Sequence, residues 1–168
     1  MNTVASYLRR IAVGMDPNSP PDLVFTIGIP GSGKSTWIRS QPGYVVVSPD
    51  GIRGELGDIT DQSKNAQIWT IAKSRVADAL KQGRNVILDA TNVDSSRRLE
   101  FIRGLPEHTL KAKIFQVDPE VAKQRIKADL ENKIQRSNVP DYAVDLMYRD
   151  FKNTIDEGQL EAEGFEIL

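Results

Sequence analysis

The chain has 168 residues, with 22 basic and 23 acidic side chains, a formal net charge of −1 and no cysteine. This length suffices for one domain with its own core, and the balanced charge argues against a general polyanion-binding surface but not against a local basic channel. The lack of cysteine excludes disulfides, thiolate metal sites and a cysteine nucleophile. No signal peptide is recognisable and no apolar run approaches the ~20 residues of a membrane span, so we expect a cytoplasmic protein with no membrane partner.

An N-terminal extension is expected over residues 1–22. Apolar residues at helical spacing predict a short helix over residues 4–12, packed on the outside of the domain. These apolar residues are Val4, Tyr7, Leu8, Ile11 and Ala12. Residues 17–22 are rich in proline and predict a linker. Residues 23–168 then form the main domain.

Strands and helices alternate from residue 23 onward. Strands are predicted at 23–28, 44–47, 85–88, 110–117 and 165–168. Helices are predicted at 34–40, 63–82, 95–103, 119–135 and 141–156. Continuous apolar runs in the strands predict an α/β three-layer sandwich, with a five-stranded parallel sheet between two layers of helices. Right-handed crossovers bring the functional loops to the carboxyl ends of the strands.

Residues 28–36 read GIPGSGKST and match the phosphate-binding pattern G-x-x-x-x-G-K-[ST], or Walker A motif, between a predicted strand and a predicted helix. Glycines let several backbone N–H groups converge on phosphate oxygens. Lys34 can reach the β- and γ-phosphates of ATP, and the Ser35 hydroxyl can bind Mg²⁺. The pattern therefore predicts a P-loop NTPase fold that binds ATP and Mg²⁺. The predicted nucleotide-binding residues are Gly31, Ser32, Gly33, Lys34, Ser35 and Thr36.

Two carboxylates follow predicted strands. Asp50 comes after the second strand, with Arg53 on the same side of a helical turn. Asp50 is a candidate general base and Arg53 a candidate for binding the acceptor; alternatively, Asp50 caps a helix and Arg53 is its surface partner. Asp89 directly follows the predicted strand at 85–88 and is a candidate for holding Mg²⁺ or positioning the acceptor.

Thr91 and Asn92 follow Asp89 and are candidates for hydrogen bonds to the substrate. Ordinary turn chemistry explains these two residues equally well. Aromatic side chains elsewhere in the chain are expected to belong to the core rather than to stack on bases. They are Trp37, Trp69 and Tyr148.

A segment at about 123–139 is rich in arginine and lysine and predicts a helical lid over the phosphates. Arg125 and Arg136 are the favoured catalytic arginines of this lid, ahead of its lysines. The alternative is a solvated helix face, because Asp129 and Glu131 are interleaved among the basic residues.

Taken together, these motifs resemble the kinase domain of phage-type polynucleotide 5′-hydroxyl kinases, within the wider group of P-loop kinases. The resemblance covers about residues 23–152 and is carried by four features: the phosphate-binding loop with its flanks, Asp50 with Arg53, Thr91-Asn92 followed by Arg97-Arg98, and Val139-Pro140 before a helix with Met147-Tyr148. Unlike in the phage enzyme, the carboxylate stands two residues before the threonine, and the stretch that leads to Val139 is longer.

The resemblance implies the following roles. Lys34 and Ser35 would bind the triphosphate and Mg²⁺. Asp50 would deprotonate a 5′-hydroxyl of DNA or RNA, and Arg53 would contact the acceptor's 3′-phosphate. A lid arginine would stabilise the transferred phosphoryl group.

Two alternatives to a polynucleotide kinase stay open at this point. A P-loop kinase of a small-molecule hydroxyl, such as a sugar, a nucleoside or an antibiotic-like compound, is slightly favoured by the acidic isoelectric point of about 5.9. A non-catalytic nucleotide-binding module is the more remote alternative, since neither the N-K-x-D motif of GTPase switches nor the L-S-G-G-Q motif of ABC-type ATPases is present.

Overall fold

A computed structural model describes residues 4–58 and 61–168 of the chain. Within these ranges, five strands form one parallel sheet in the order β2-β3-β1-β4-β5. The strands are β1 (Asp22–Ile27), β2 (Val45–Val47), β3 (Val86–Leu88), β4 (Thr109–Ile114) and β5 (Glu166–Ile167). The predicted five-stranded parallel sheet is thereby confirmed.

Strand β1 lies at the centre of the sheet because its side chains suit burial on both faces. Residues 23–27 are all inaccessible to solvent. In the ladder, Val24 is aligned with Ile87 of β3 on one side and with Lys111 of β4 on the other. The loop that follows β1 therefore starts at the middle of the sheet's carboxyl edge, which is where parallel α/β sheets bind ligands.

Helices cover both faces of the sheet. They are α1 (Val4–Ala12), α2 (Lys34–Arg39), α3 (Pro49–Glu55), α4 (Asn65–Lys81), α5 (Ser95–Ile102), α6 (Pro119–Glu131), α7 (Asp141–Asp156) and α8 (Gln159–Ala162). The long helix α4 buries Ile68, Ala72 and Val76 at a helical period, as the sequence predicts. Helix α8 has only four residues and was not predicted. No helix within the described ranges is both long enough and apolar enough to cross a bilayer.

The predicted helix 119–135 is wrong at its carboxyl end. Helix α6 ends at Glu131, and Lys133 has a positive φ of 56° that an α-helix cannot contain. The first half of α6 is anchored by the buried side chains of Ala122 and Ile126. The predicted lid at 123–139 is thus a packed helix followed by a non-helical segment, with Arg125 on the helix and Arg136 beyond it.

Helix α1 confirms the predicted helix at 4–12. The face that it packs on the domain lies opposite its apolar stripe. Its buried side chains are Ser6 and Arg10, whereas its apolar side chains are exposed. Arg10 donates to the carbonyl oxygens of Gly83 and Asp16, at 3.2 and 3.0 Å. Gly83 makes this approach possible, since a Cβ there would lie 2.6 Å from the Ser6 hydroxyl. Polar contacts with the end of α4, rather than the apolar stripe, therefore orient the helix.

Candidate active site

The phosphate-binding loop leaves β1 in a conformation that requires glycine at two positions. Gly31 has a φ of 76°, and a Cβ there would lie 2.8 Å from the Ala122 carbonyl oxygen of α6. A Cβ at Gly28 would lie 2.7 Å from the Ser32 hydroxyl and 3.0 Å from Phe115. The backbone N–H of Gly28 also donates to the Thr91 carbonyl oxygen at 3.0 Å. The loop is therefore held by close packing on α6 and on the segment that follows β3.

Lys34 lies folded over this loop. Its ammonium group donates to the carbonyl oxygens of Gly28 and Ile29, at 3.0 and 2.8 Å. Burial lowers the pKa of Lys34 to about 8, the charge of Arg136 acts in the same direction, and the charges of Asp89 and Asp50 oppose the shift. A lysine with these contacts is a cation kept beside the loop backbone, where the phosphates of a nucleotide would lie.

Asp89 lies at the carboxyl end of β3, on the neighbouring strand. Its backbone N–H donates to the Val47 carbonyl oxygen at 2.9 Å, which continues the ladder between β3 and β2. Burial raises the pKa of Asp89, the charge of Lys34 lowers it, and the charge of Asp50 raises it again. The structure thus brings Lys34, Asp50 and Asp89 into one electrostatic cluster at the sheet edge, although 16 and 39 residues separate neighbouring members in the sequence.

Asp50 and Arg53 lie on α3, a short helix that starts directly after β2. The Ser48 side chain caps this helix by accepting from the Gly51 N–H at 3.2 Å, so Asp50 is not the capping residue. The Asp50 side chain is 59% exposed, whereas that of Arg53 is 7% exposed. Arg53 donates to the Asp50 carboxylate. The interpretation of this pair as a helix cap with a surface partner is therefore wrong.

Asn65 is a site residue that the sequence reasoning missed. It opens α4, and its side-chain oxygen accepts from Arg53 at 2.8 Å. The Arg53 Nε atom is buried and has no hydrogen-bond partner among the described residues. Arg53 is thus held between Asp50 and Asn65 by its two terminal guanidinium nitrogens. No local signal could identify Asn65, because it lies 12 residues beyond Arg53 and belongs to a different helix.

Thr91 and Asn92 form the turn after β3. The side-chain amide of Asn92 donates to the Thr26 carbonyl oxygen at 2.8 Å and to the Leu88 carbonyl oxygen at 3.3 Å. Asn92 has a positive φ of 51°, which asparagine tolerates better than most residues. These contacts favour a structural role for Asn92 in joining the ends of β1 and β3. A substrate contact by Thr91 or Asn92 stays a prediction.

The two predicted lid arginines differ in their surroundings. Arg125 on α6 is exposed and donates to the Gly31 carbonyl oxygen at 3.0 Å. Arg136 is 20% exposed and forms an ion pair with Asp129 at 2.5 Å. Its Nε atom is buried without a hydrogen-bond partner in the described part of the chain. Since the charge of Arg136 also lowers the pKa of Lys34, Arg136 lies within electrostatic reach of the phosphate-binding loop.

The lysines of the same segment do not share this position. Lys123 bridges Glu120 and Asp145, each at 2.8 Å, and so ties α6 to α7. Lys127 and Lys133 are exposed. A catalytic role for an arginine of this segment stays a prediction.

The donor set fits the Mg²⁺ that a nucleotide would carry. Residues 4–58 and 61–168 contain no group of three or more acidic or histidine side chains that could hold a metal ion. Nucleotide-bound Mg²⁺ does not need one, because it is usually held by one or two protein oxygens together with phosphates and water. The Ser35 hydroxyl and the Asp89 carboxylate are oxygen donors of this kind, and their role as ligands stays a prediction.

Known proteins match this chain in sequence and in fold. A protein of Autographa californica nuclear polyhedrosis virus, whose name describes a bifunctional polynucleotide kinase/RNA ligase, is 30% identical over 110 residues, which cover 56% of this chain and 16% of the viral protein. A chain in the Pnkp1/Rnl/Hen1 RNA repair complex has a TM-score of 0.72 at 24% identity, over 83% of this chain and 47% of that chain. A protein from Chloroflexus aurantiacus J-10-fl, described as a kinase, has a TM-score of 0.59 at 17% identity, over 77% of this chain and 78% of that one.

The two structural matches show the fold, which is the α/β P-loop fold. The chain spans only 16% of the viral relative and less than half of the matched chain in the RNA repair complex. Residues 23–154, which hold the phosphate-binding loop and the whole charged cluster, match the family described as AAA domain. The chain therefore belongs to this AAA domain family of P-loop proteins.

Proposed function

We propose that this protein is an ATP-dependent kinase that transfers the γ-phosphate of ATP to the 5′-hydroxyl end of DNA or RNA. The observation that carries the proposal is the arrangement of Asp50 and Arg53. An accessible carboxylate lies at the sheet's carboxyl edge, close enough to Lys34 to affect its pKa, and beside a buried arginine. A nucleotide-binding module without an acceptor substrate would have no need of such a pair next to its phosphate-binding loop.

In the proposed reaction, the acceptor hydroxyl attacks the γ-phosphorus of ATP. The hydroxyl proton passes to the Asp50 carboxylate, the new phosphorus–oxygen bond forms, and the bond to the β-phosphate oxygen breaks to release ADP. Lys34 neutralises charge on the β- and γ-phosphates, and Mg²⁺, when bound, adds positive charge there. Arg136 is the lid arginine best placed to stabilise the transferred phosphoryl group, because its charge lies close enough to Lys34 to lower the pKa of that lysine.

Arg53 supports a polynucleotide as the acceptor. Its side chain is 7% exposed, and its two terminal guanidinium nitrogens are held by Asp50 and Asn65. Such a rigid cation suits a phosphate next to the reacting nucleotide, which a simple sugar lacks. The viral relative, whose name includes polynucleotide kinase, supports the same acceptor class.

The proposal is tested by incubating the protein with γ-labelled ATP and Mg²⁺ against a panel of acceptors. The panel contains 5′-hydroxyl DNA and RNA oligonucleotides, nucleoside 3′-phosphates, free nucleosides and sugars. We expect label on the oligonucleotides, and labelling that is about 10²–10⁴-fold slower with an Asp50→Asn variant that still binds ATP. Efficient labelling of a sugar or a nucleoside, with no nucleic acid labelled, would establish a small-molecule kinase instead. ATP binding without any labelled acceptor would favour the non-catalytic module.

A further inference from the structure

A cavity of about 920 Å³ opens beside the proposed acceptor site, between α4, α5 and α7. This volume is at the upper end of the range for small-molecule sites, about 300–1,000 Å³. Phe25 of the central strand lies among its lining residues, so the cavity reaches down to the sheet. We call it the Trp69 cavity, after the largest side chain in its wall.

Three aromatic side chains form one part of the wall of the Trp69 cavity: Phe25, Trp69 and Phe101. Trp69 packs edge-to-face on Phe101, with ring centroids 5.9 Å apart and an interplanar angle of 80°. Phe101 in turn packs edge-to-face on Phe25, also at 5.9 Å. Trp69 was expected to be a core residue; it packs against the core but is only partly buried and lines the cavity. Met147 of α7 also lines the cavity.

The charges around the Trp69 cavity are balanced and mostly engaged with the protein. Three cationic and three anionic side chains line it: Lys73, Arg97 and Arg98, with Asp94, Glu100 and Asp150. Arg98 is 1% exposed and paired with Glu163, and Lys73 donates to two carbonyl oxygens at the end of α5. Asp94 caps α5 by accepting from the Arg97 N–H. A cavity of this kind suits an uncharged, flat ligand better than a chain of phosphates.

The Trp69 cavity borders the proposed acceptor site through the side chain of Asn65. Asn65 lines the cavity and also accepts from Arg53, which pairs with Asp50. Thr91, whose carbonyl oxygen accepts from the first residue of the phosphate-binding loop, lies in the same wall. A group held in the cavity would thus be one side chain away from the residues proposed to handle the acceptor hydroxyl and its phosphate.

We infer that the Trp69 cavity binds the nucleobase of the acceptor's 5′-terminal nucleoside, stacked on Trp69. This inference rests on the proposed function. A nucleobase is flat, aromatic and uncharged, which matches the walls and the charge balance of the cavity. Its sugar and phosphate are charged or strongly polar and would lie toward Asn65 and Arg53. Base stacking on an aromatic side chain tolerates any base, so the cavity selects nucleotides over sugars without reading sequence.

The kinetic test compares two oligonucleotides that differ only in whether the 5′-terminal sugar carries a base. For the wild-type protein we expect kcat/KM to be about 5- to 100-fold higher with the base present, the usual effect of one base–aromatic stack. Trp69→Ala should remove most of this preference, because it should lower kcat/KM for the base-bearing acceptor far more than for the abasic one. Trp69→Phe keeps an aromatic wall and should retain most of it.

A binding test does not depend on how well Trp69→Ala folds. The chain has two tryptophans, so a Trp37→Phe variant reports Trp69 emission alone. Adenosine 3′-phosphate, added without ATP, should change that emission with a saturation curve, whereas 2-deoxyribose should not.

Four results would overturn the inference. One is equal wild-type kcat/KM for the base-bearing and abasic acceptors, and another is an equal loss of kcat/KM for both in Trp69→Ala. Either would mean that the base does not bind in the cavity, and neither would contradict the proposed function. Unchanged Trp69 emission at acceptor concentrations that saturate turnover would have the same meaning. Failure of the wild-type protein to label either oligonucleotide would remove the proposed function and the inference together.

Discussion

Arg53 donates to the Asp50 carboxylate from one helical turn away, and the two side chains differ sharply in their exposure to solvent. The arginine is covered by the protein and is fixed from its other side by Asn65. The carboxylate faces solvent at the edge where the phosphate-binding loop begins. An ion pair that served only stability could have both side chains exposed or both buried. Here one member is immobilised and the other is left accessible, which is what a base that must meet an incoming hydroxyl requires.

Replacing Lys34 by alanine should reduce kcat/KM for phosphoryl transfer by at least about 100-fold. The reason is that a preorganised positive charge next to the β- and γ-phosphates would be lost from a site largely shielded from water. The measurement is initial-rate kinetics with labelled ATP. Lys81→Ala, which removes an exposed lysine at the end of α4, is the matched control and should be neutral. Near-wild-type turnover of Lys34→Ala would contradict the site assignment.

Replacing Asp50 by asparagine should lower kcat by about 10²–10⁴-fold and leave the affinity for ATP largely intact. A general base acts on the acceptor, so its loss affects the chemical step rather than nucleotide binding. Single-turnover rates and a separate ATP-binding titration distinguish the two quantities. Asp78→Asn, an exposed aspartate on α4, serves as the control. If Asp50→Asn binds ATP more weakly by the same factor as it slows transfer, Asp50 is not acting as a base.

Replacing Arg53 by alanine should raise the KM for a nucleoside 3′-phosphate by about 10- to 100-fold more than the KM for the bare nucleoside. A hydrogen bond to a charged group contributes about 1.5–3 kcal/mol, and only the first acceptor has the phosphate. Asn65→Ala should produce a smaller change in the same direction, because it only loosens Arg53. Parallel KM measurements with the two acceptors are sufficient. Equal increases for both would mean that Arg53 does not contact the phosphate.

Replacing Arg136 by alanine should lower kcat by about 10²–10³-fold, the cost of removing one preorganised donor from a transition state. Arg125→Ala should cost less, since Arg125 is exposed and contacts a loop carbonyl, whereas the charge of Arg136 acts on Lys34. Lys127→Ala, on the exposed side of α6, is the control. The comparison is made at saturating ATP. A larger kcat loss in Arg125→Ala than in Arg136→Ala would mean that Arg125, and not Arg136, stabilises the transferred phosphoryl group.

The ion pair between Arg98 and Glu163 should make stability depend on pH. Desolvation raises the pKa of Glu163, but hydrogen bonds from Arg98 and Ser95, with the charge of Arg98, lower it overall below its usual 4.5. The folded state therefore favours the carboxylate. The resulting stabilisation is fully present above the unfolded-state pKa and is lost as the pH falls through the lowered folded-state pKa.

The test is urea unfolding of the wild-type protein and of Glu163→Gln at several pH values. Near neutral pH the variant should be less stable by about 3–5 kcal/mol, as for other buried pairs that lose one charge. The difference should shrink as the pH falls below about 4.5, because the wild-type carboxyl is then protonated as well. Glu161→Gln, an exposed glutamate on α8, should show neither effect. A difference that stays constant down to low pH would mean that the ionised form of Glu163 is not what stabilises the fold.

Short-range patterns determined much of this protein from the sequence alone. The phosphate-binding motif, the strand before it and the alternation of strands and helices depend on residues a few positions apart. The parallel sheet confirms the strand and the alternation. The pairing of Asp50 with Arg53 followed from one helical turn. A local pattern was an incomplete guide where a contact from outside the pattern determined the packing. The apolar stripe of α1 predicted the helix but not the face that it packs on the domain, because buried Arg10 holds the helix by carbonyl contacts that no hydrophobic pattern reveals.

Only the tertiary structure decided which distant residues complete the site. Asn65 supports Arg53 across 12 residues, and Glu163 pairs with Arg98 across 65. Asp129 pairs with Arg136 only because α6 ends at Glu131 and the chain turns back after it. The Trp69 cavity is likewise a gap between three helices, and no single helix determines its shape. Such features depend on how separate elements pack, and the spacing of residues along the chain contains no measure of that.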